Sequence, residues 1–208
     1  TDNSAADALA YSWQDWVLKG CGGCAFVYLE NPPGYEALVS DFAWERNHGD
    51  RSERMRKDYP FSYHLSRYWT PLRRWLIRKP DKVASRVKAA FPPGPGVDIG
   101  CGTGDQLARL PETYEPLGVE ISVELARRAE ERLADRGGKV LTMSAVDGLA
   151  AVSQGTVSGI LMRSFLEHEQ QPAELLARAW AALQPGGAAI VKVPNYASVN
   201  RRVMGPRW

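Results

Sequence analysis

The stretch Val97-Asp98-Ile99-Gly100-Cys101-Gly102-Thr103-Gly104-Asp105 decides the fold of this 208-residue chain. Its first three residues have the character of a strand, and they run into a turn that holds three glycines. A strand that enters a glycine-rich turn ahead of a helix lets a ligand approach the backbone closely. The glycine spacing is G-x-G-x-G, with Asp105 where a dinucleotide-binding turn of the G-x-G-x-x-G type needs its third glycine. The turn therefore predicts a ligand site and disfavours a dehydrogenase.

Two acidic residues indicate what kind of ligand this turn takes. Asp98 lies two residues before Gly100, and a carboxylate there suits an ammonium group better than a pyrophosphate, because like charges repel. S-adenosylmethionine (SAM) carries an ammonium, a sulfonium and no phosphate. Glu120 ends the next predicted strand, where an acid can accept both hydroxyls of a ribose. The alternative for Glu120 is a charge at the start of the helix that follows Ser122, and the glycine turn favours the ribose contact.

From Val97 onward, apolar strands alternate with amphipathic helices. The pattern predicts strands over 97–99, 115–120, 139–143, 157–162 and 188–193, a helix from Ser122 to about Arg136, and a second helix over Pro172–Leu183. Gly137-Gly138 ends the first helix, and Pro185-Gly186-Gly187 follows the second. This alternation predicts an α/β fold, in which a parallel sheet is covered by helices on both faces.

Four segments in this order, VDIGCGTG, LGVEIS, ILMRSFLEH and LQPGGAAIVKVPN, resemble the class I SAM-dependent methyltransferases. The resemblance covers roughly Ala84 to Asn195, and it implies a Rossmann-like sheet of seven strands with SAM lying across the ends of the first strands. It also implies a set of cofactor-binding residues: Asp98, Gly100, Cys101, Gly102 and Gly104 at the methionine end, Glu120 and Ile121 at the ribose and adenine, Ala145 and Val146 at the adenine edge, and Arg163 and Ser164 in the loop that faces the ligand. Many relatives carry an acid where Ala145 stands, so a contact there comes from the backbone or through Val146, and Asp147 is a substitute acid.

Methyl transfer from a sulfonium needs mainly a positioned acceptor and, for a hydroxyl acceptor, removal of a proton. His168 follows the predicted fourth strand of the sheet, and its ordinary pKa suits a general base. The alternative is that Glu167-His168 caps the next helix and packs under the loop. Asn195 is a second candidate for the acceptor pocket, or it makes only a turn.

The segment from Arg46 to Lys88 is basic and aromatic, with thirteen Lys or Arg against four Asp or Glu. Such a segment can bind RNA, an anionic sugar nucleotide or a membrane surface. The alternative is a solvated helix face with an aromatic core. We expect a methyltransferase acting on a small molecule, such as a sugar nucleotide or a hydroxylated metabolite. An RNA methyltransferase that uses residues 46–88 is the less favoured alternative, and a SAM-binding scaffold without catalysis is the third.

The N-terminal segment VLKGCGGCAFVYLENPP is similar to the zinc-ribbon-like start of some bacterial methyltransferases of this class. Those carry two C-x-x-C pairs, whereas this chain has one, Cys21 and Cys24, and a structural zinc site needs four ligands. His48 and His64 are weak candidates for the others. We therefore expect a hairpin without metal, with two short strands inside Trp13–Leu29. The predicted domains are residues 1–45, a basic helical segment 46–92 and a SAM-binding domain 93–208, with further helices over Tyr35–Trp44 and Trp69–Phe91.

Composition bounds the remaining possibilities. The net charge is +2, too small to imply nucleic acid by itself, and three cysteines are not a disulfide framework. No apolar run is long enough to span a membrane, and the first residues lack the features of a signal peptide. We expect a soluble protein of the reducing cytoplasm. We also expect the natural protein to continue past Trp208, or a partner to cover the fifth strand, because residues 196–208 resemble a connecting loop and cannot supply two further strands.

Overall fold

The computed structural model of the chain describes residues 17–32, 56–57 and 82–204. The chain divides into two compact units. The first consists of Thr1–Leu38 together with Pro194–Trp208, and the second consists of Val39–Val193. The predicted helix at Tyr35–Trp44, both candidate histidines His48 and His64, and nearly all of the basic segment before residue 82 lie outside the described residues. The three predicted domain boundaries stay predictions.

The described N-terminal residues form a small antiparallel hairpin. Strand β1 (Leu18–Gly20) pairs with β2 (Val27–Leu29), and Leu18 lies opposite Leu29. The connection between the strands is closed by backbone hydrogen bonds from Cys21 N to Phe26 O at 2.8 Å and from Ala25 N to Cys21 O at 2.9 Å. This confirms the prediction of two short strands around the cysteine pair.

The second unit is built on a parallel sheet, as the alternating pattern predicts. Its described strands are β3 (Gly94–Ile99), β4 (Tyr114–Glu120), β5 (Lys139–Thr142), β6 (Val157–Arg163) and β7 (Leu183–Lys192), in the spatial order β5-β4-β3-β6-β7. Every neighbouring pair is parallel. The helices are α1 (Lys82–Ala90), α2 (Asp105–Ala108), α3 (Val123–Leu133), α4 (Ala145–Ala150) and α5 (Pro172–Ala182), with 3₁₀ turns at Ala134–Arg136 and Leu166–His168.

Two hydrophobic clusters cover the two faces of the sheet. On one face, side chains of α1, α2 and α3, such as Val87, Leu107 and Leu133, pack with Leu161 of β6. On the other face, α4 and α5 pack against the opposite side chains of β3 and β6, which include Ile99 and Ile160. The period of two along each strand separates these sets, because successive side chains point to opposite faces. Helices on both faces were predicted, and the structure confirms them.

Helix α3 shows how local sequence places the elements. The Ser122 hydroxyl accepts a hydrogen bond from Leu125 N at 3.3 Å, which caps the first turn of the helix. The predicted apolar stripe is the buried one, namely Leu125, Ala126, Ala129 and Leu133. Gly137 ends the following 3₁₀ turn with a φ of 63°, a left-handed conformation that suits glycine.

Two predicted strand boundaries are wrong. The glycine- and proline-rich segment before Val97 is part of β3, which begins at Gly94 and pairs with Tyr114 there. The turn expected after α5 also lies inside a strand, since β7 begins at Leu183, opposite Val157, and not at Ala188. A bulge absorbs the residues around Gly186 (φ 81°) before Ala188 pairs with Gly159. Both errors have one cause, because proline and glycine were treated as marking the ends of strands. The first residues of a strand accept them, as in β3, and so does a bulge in an edge strand, as in β7.

The described C-terminal residues differ from the predicted loop, because Val199–Met204 form a short helix, α6. The Ser198 hydroxyl accepts a hydrogen bond from Arg201 N at 3.3 Å, and the guanidinium of Arg201 lies 4.0 Å above the centre of the Tyr196 ring. None of the described helices combines the length and the apolar character that crossing a membrane requires.

Candidate functional site

The order of the strands places the candidate site at the carboxyl ends of β3 and its neighbours. The chain runs from β3 to β4 and β5 on one side, and then crosses to β6 and β7 on the other. In open parallel sheets this reversal leaves a crevice at the carboxyl ends of the strands, and ligands bind there. The glycine turn, Glu120 and Arg163 all lie at these ends.

The three glycines of the turn serve different purposes. All have positive φ: 68° at Gly100, 55° at Gly102 and 74° at Gly104. A Cβ at Gly100 would overlap the ring of Phe165, and one at Gly104 would lie 3.3 Å from the backbone of Ala129 on α3. A Cβ at Gly102 would have no atom of the protein within 4 Å. Gly100 and Gly104 are therefore required for packing, whereas Gly102 faces the open space that a ligand would fill.

Glu120 holds the glycine turn with its carboxylate. One oxygen, Oε2, accepts a hydrogen bond from Gly102 N at 2.9 Å, and the other, Oε1, accepts one from Ser122 N at 3.0 Å. The residue is 8% exposed. Because a carboxylate oxygen accepts two hydrogen bonds, each oxygen keeps one lone pair for a ligand. Glu120 thus organises the start of α3, in agreement with one of the two interpretations from the sequence, and the ribose contact stays a prediction.

Asp98 lies beneath the turn and is nearly inaccessible, at 4% exposure. Burial raises the pKa of its carboxyl to about 7, the charge of Arg163 opposes this rise, and the charge of Glu120 adds to it. The buried acids Asp98 and Glu120 thus share one end of the site. Such a place favours a ligand with positive charge, which would compensate the buried carboxylates.

Cys101, in the same turn, faces away from the open space. Its side chain is buried over β4, where a Cβ at Gly118 would lie 2.6 Å from Cys101 Sγ. Burial and the neighbouring acids raise the pKa of its thiol to about 12. Only the backbone of Cys101 is therefore available to a ligand.

The end of β6 contains a contact that sequence analysis missed. The Arg163 guanidinium donates a hydrogen bond to the side-chain oxygen of Gln106, a buried residue of the short helix α2. Ser164, the next residue, has a φ of 52° and donates its N–H to Lys192 O at 2.7 Å. No sequence signal marks Gln106, because its hydrogen-bond partner Arg163 lies 57 positions away in the chain.

The remaining candidates lie around the same edge of the sheet. Ile121 is 37% exposed, directly after Glu120, whereas Ala145 is buried at the start of α4, so that only its backbone can face a ligand. Val146 is half-buried. The substitute acid Asp147 is engaged locally, because its carboxylate accepts the Ser144 hydroxyl at 2.6 Å. His168 ends the 3₁₀ turn after β6; it is exposed, and its ring forms no hydrogen bond with the described residues.

The cysteines of the N-terminal hairpin lie in the other unit and are both free thiols. Hydrogen bonds from the backbone of Cys24 and Gly23 lower the pKa of the Cys21 thiol. Among the residues that the structure describes, no group of three or more His, Cys, Asp or Glu side chains is placed to hold a metal ion. The zinc-ribbon-like identity of this segment stays a prediction.

The chemistry of the described site fits SAM. Two acids complement its ammonium and ribose groups, Gly102 leaves open space beside them, and Asp98 disfavours a pyrophosphate. When the sequence is compared with known proteins, the family model described as "Methyltransferase domain" matches residues 68–208, which is more than half of the chain.

Individual relatives carry similar names. The chain is 26% identical over 149 residues to the ubiquinone biosynthesis O-methyltransferase of Methylococcus capsulatus, covering 65% of this chain and 60% of that protein. It is 30% identical over 113 residues to the trans-aconitate 2-methyltransferase of Deinococcus radiodurans, covering 52% and 41%. The chain thus spans less than two thirds of the length of these curated relatives.

Among solved structures, a SAM-dependent methyltransferase from Archaeoglobus fulgidus is similar, with a TM-score of 0.48 and 20% identity over 65% of this chain and 62% of that one. The parallel five-stranded sheet, the glycine turn with its two acids and the family match over residues 68–208 agree with one another. The chain therefore belongs to the methyltransferase-domain family, with a Rossmann-like α/β fold.

Proposed function

We propose that this protein transfers a methyl group from SAM to a small-molecule acceptor. The observation that carries the proposal is the open space at Gly102 between two buried acids, at the carboxyl edge of a parallel sheet. The names of the relatives support a small acceptor, since one is called an O-methyltransferase of ubiquinone biosynthesis and the other acts on trans-aconitate.

The binding roles follow from the chemistry of each residue. Asp98 would neutralise the ammonium of the cofactor from beneath, and the backbone of Gly100, Gly102 and Gly104 would line its methionine end. Glu120 would accept the ribose hydroxyls with the lone pairs that Gly102 and Ser122 leave free. Ile121, with Val146 and the backbone of Ala145, would flank the adenine.

When bound, SAM supplies a methyl group on a positively charged sulfur: the acceptor's lone pair forms the new bond to carbon while the carbon–sulfur bond breaks, and its electron pair goes to sulfur. The carboxyl edge of the sheet would hold the reacting groups in place, which is the larger part of what such a reaction needs. Arg163 ends β6 and Ser164 follows it, and we assign both to the side of the site where cofactor and acceptor would meet.

For a hydroxyl acceptor, the chain must also remove a proton. His168 lies five positions after the end of β6 and is exposed, so its imidazole is free to meet a substrate. We assign it the role of general base, which takes the hydroxyl proton as the oxygen–carbon bond forms. The alternative from the sequence is that Glu167-His168 caps the next helix and packs under the loop, and within the described residues no hydrogen bond of the His168 ring supports it.

A screen with labelled SAM against pools of small molecules and of RNA tests this proposal. We expect label to enter the small-molecule pool and the purified protein to bind S-adenosylhomocysteine (SAH), the demethylated product, by calorimetry. Label in RNA, with binding that weakens steeply as salt rises, would favour the alternative that uses residues 46–88. Binding of SAH without transfer to either pool would favour a scaffold, and failure to bind SAH would contradict the proposal.

A further inference from the structure

We infer that Arg163 and Lys192 together form a binding site for an anionic group, a carboxylate or a phosphate, on the methyl acceptor. The inference rests on the proposed function. It names a chemical class of acceptor, which membership of the methyltransferase-domain family does not specify. It depends on the register of β6 and β7, on the face that the two side chains share, and on the charges around them.

The register makes the two cations neighbours. Arg163 and Lys192 are the last residues of β6 and β7, and they are directly paired across the two parallel strands. The hydrogen bond from Ser164 N to Lys192 O continues the pairing by one step. In the neighbouring pair of strands, Ile99 is paired with Met162, so the next position on β3, Gly100, stands beside Arg163. Arg163 therefore lies one strand away from the glycine turn, and Lys192 lies two strands away.

Both side chains also belong to one face of the sheet. Two residues earlier, Leu161 is paired with Ile190, and both pack in the cluster covered by α1, α2 and α3. Because side chains on a strand repeat every second residue, Arg163 and Lys192 follow on that face. The hydrogen bond from Arg163 to Gln106 of α2 agrees with this placement.

Charge is divided along this edge of the sheet. In the spatial order of the strands, the acids Glu120 and Asp98 lie on β4 and β3, and the cations lie at the ends of β6 and β7. The cofactor's positive charge matches the acidic half. The positive charge of the cofactor does not compensate the basic half. There, two like charges at paired positions repel each other.

The nearby acids neutralise the two cations only in part. Among the described residues, Lys192 forms no ion pair, and Arg163 has only the neutral Gln106 as a hydrogen-bond partner. The charge of Arg163 does act on Asp98, but burial raises the pKa of that carboxyl to about 7, so Asp98 carries only part of a negative charge near neutral pH. In the loop after β6, Glu169 accepts a hydrogen bond from Gln171 N at 3.0 Å, and the exposed Glu167 pairs with neither cation. An anionic group between Arg163 and Lys192 would remove their repulsion beside the site where the methyl group is transferred.

Binding of small anions to the SAH-loaded protein tests the inference without knowledge of the acceptor. Succinate and inorganic phosphate are titrated at low salt by ligand-observed NMR, and succinamide serves as the uncharged analogue. We expect the better of the two anions to bind at least about fivefold more tightly than succinamide, and Lys192→Met to lose about that factor. Preference for succinate would indicate a carboxylate acceptor, and preference for phosphate a phosphorylated one.

Matched variants separate this site from general charge effects. Lys139→Met removes an exposed lysine at the opposite, amino end of β5 and should bind anions like the wild type. Arg163→Lys keeps the charge and should retain most of the affinity, whereas Arg163→Gln should lose it. Equal binding of the anions and succinamide, or an equal loss in Lys139→Met, would overturn the inference.

The cofactor's own carboxylate is the competing anion, and SAH affinity decides that question. If Lys192→Met weakens SAH binding as much as anion binding, the cations belong to the cofactor and the inference is wrong. If the wild type does not bind SAH at all, the proposed function fails separately, and the same titration on the ligand-free protein still decides whether the anion site exists.

Discussion

Replacing Glu120 by glutamine tests whether one carboxylate both holds the glycine turn and binds the cofactor. In the wild type, each carboxylate oxygen accepts a backbone N–H, from Gly102 and from Ser122. Glutamine is nearly the same shape, but it has one oxygen and one NH₂ group. Whichever way its amide turns, one backbone N–H faces another donor.

The size of the effect follows from these contacts. A hydrogen bond to a charged group contributes about 1.5–3 kcal/mol, and Glu120→Gln loses one such bond and weakens the other. We therefore expect the free energy of unfolding to fall by about 2 kcal/mol, which corresponds to a decrease in Tm of roughly 4–8 °C for a domain of this size. The glutamine NH₂ also cannot accept a ribose hydroxyl, so SAH affinity should fall about tenfold or more.

Thermal unfolding and calorimetry with SAH measure the two effects on the same sample. Glu124→Gln is the matched control, because it makes the same chemical change on α3, where the side chain is 51% exposed and pairs with Arg127 and Arg128. The control should change stability by less than about 1 kcal/mol and leave SAH affinity unchanged. If Glu120→Gln falls within the range of the control in both assays, the reasoning about this carboxylate is refuted. If Glu120→Gln loses stability but keeps its SAH affinity, Glu120 has only the structural role.

Three further predictions concern the same edge of the sheet. Gly102→Val should abolish SAH binding in calorimetry, because its branched side chain would fill the open space at a φ of 55°, and unchanged affinity would place the ligand elsewhere. In the folded protein, burial raises the pKa of Asp98 to about 7 from its ordinary 3.8, so the folded state binds this proton more tightly than the unfolded state. The free energy of unfolding of the ligand-free protein should therefore fall as pH rises from about 4 to 7, and Asp98→Asn should flatten this pH dependence in unfolding titrations. His168→Ala should lower kcat for a hydroxyl acceptor at least about a hundredfold while SAH affinity stays constant, and an equal loss of stability would favour a packing role.

Much of the fold was predictable because it depends on local patterns. The alternation of strands and helices predicted the parallel sheet with two covered faces, and the apolar stripe of α3 was predicted residue by residue. Glycine spacing and the two acids predicted a SAM site, and the match of the methyltransferase-domain family over residues 68–208 agrees with that prediction. These features depend on residues close together in the chain, where periodicity and turn chemistry act directly.

Other features depend on contacts between distant segments, and only the tertiary structure decided them. The different purposes of the three glycines follow from Phe165 and Ala129, which approach the turn from other elements. The second role of Glu120, the hydrogen bond between Arg163 and Gln106, and the pairing of Arg163 with Lys192 all depend on the order and register of strands. A one-residue slip of β6 or β7 would turn Arg163 or Lys192 to the opposite face of the sheet. The residues next to Arg163 in the chain do not identify Lys192 as its partner, because the two positions are paired only once the strands are assembled.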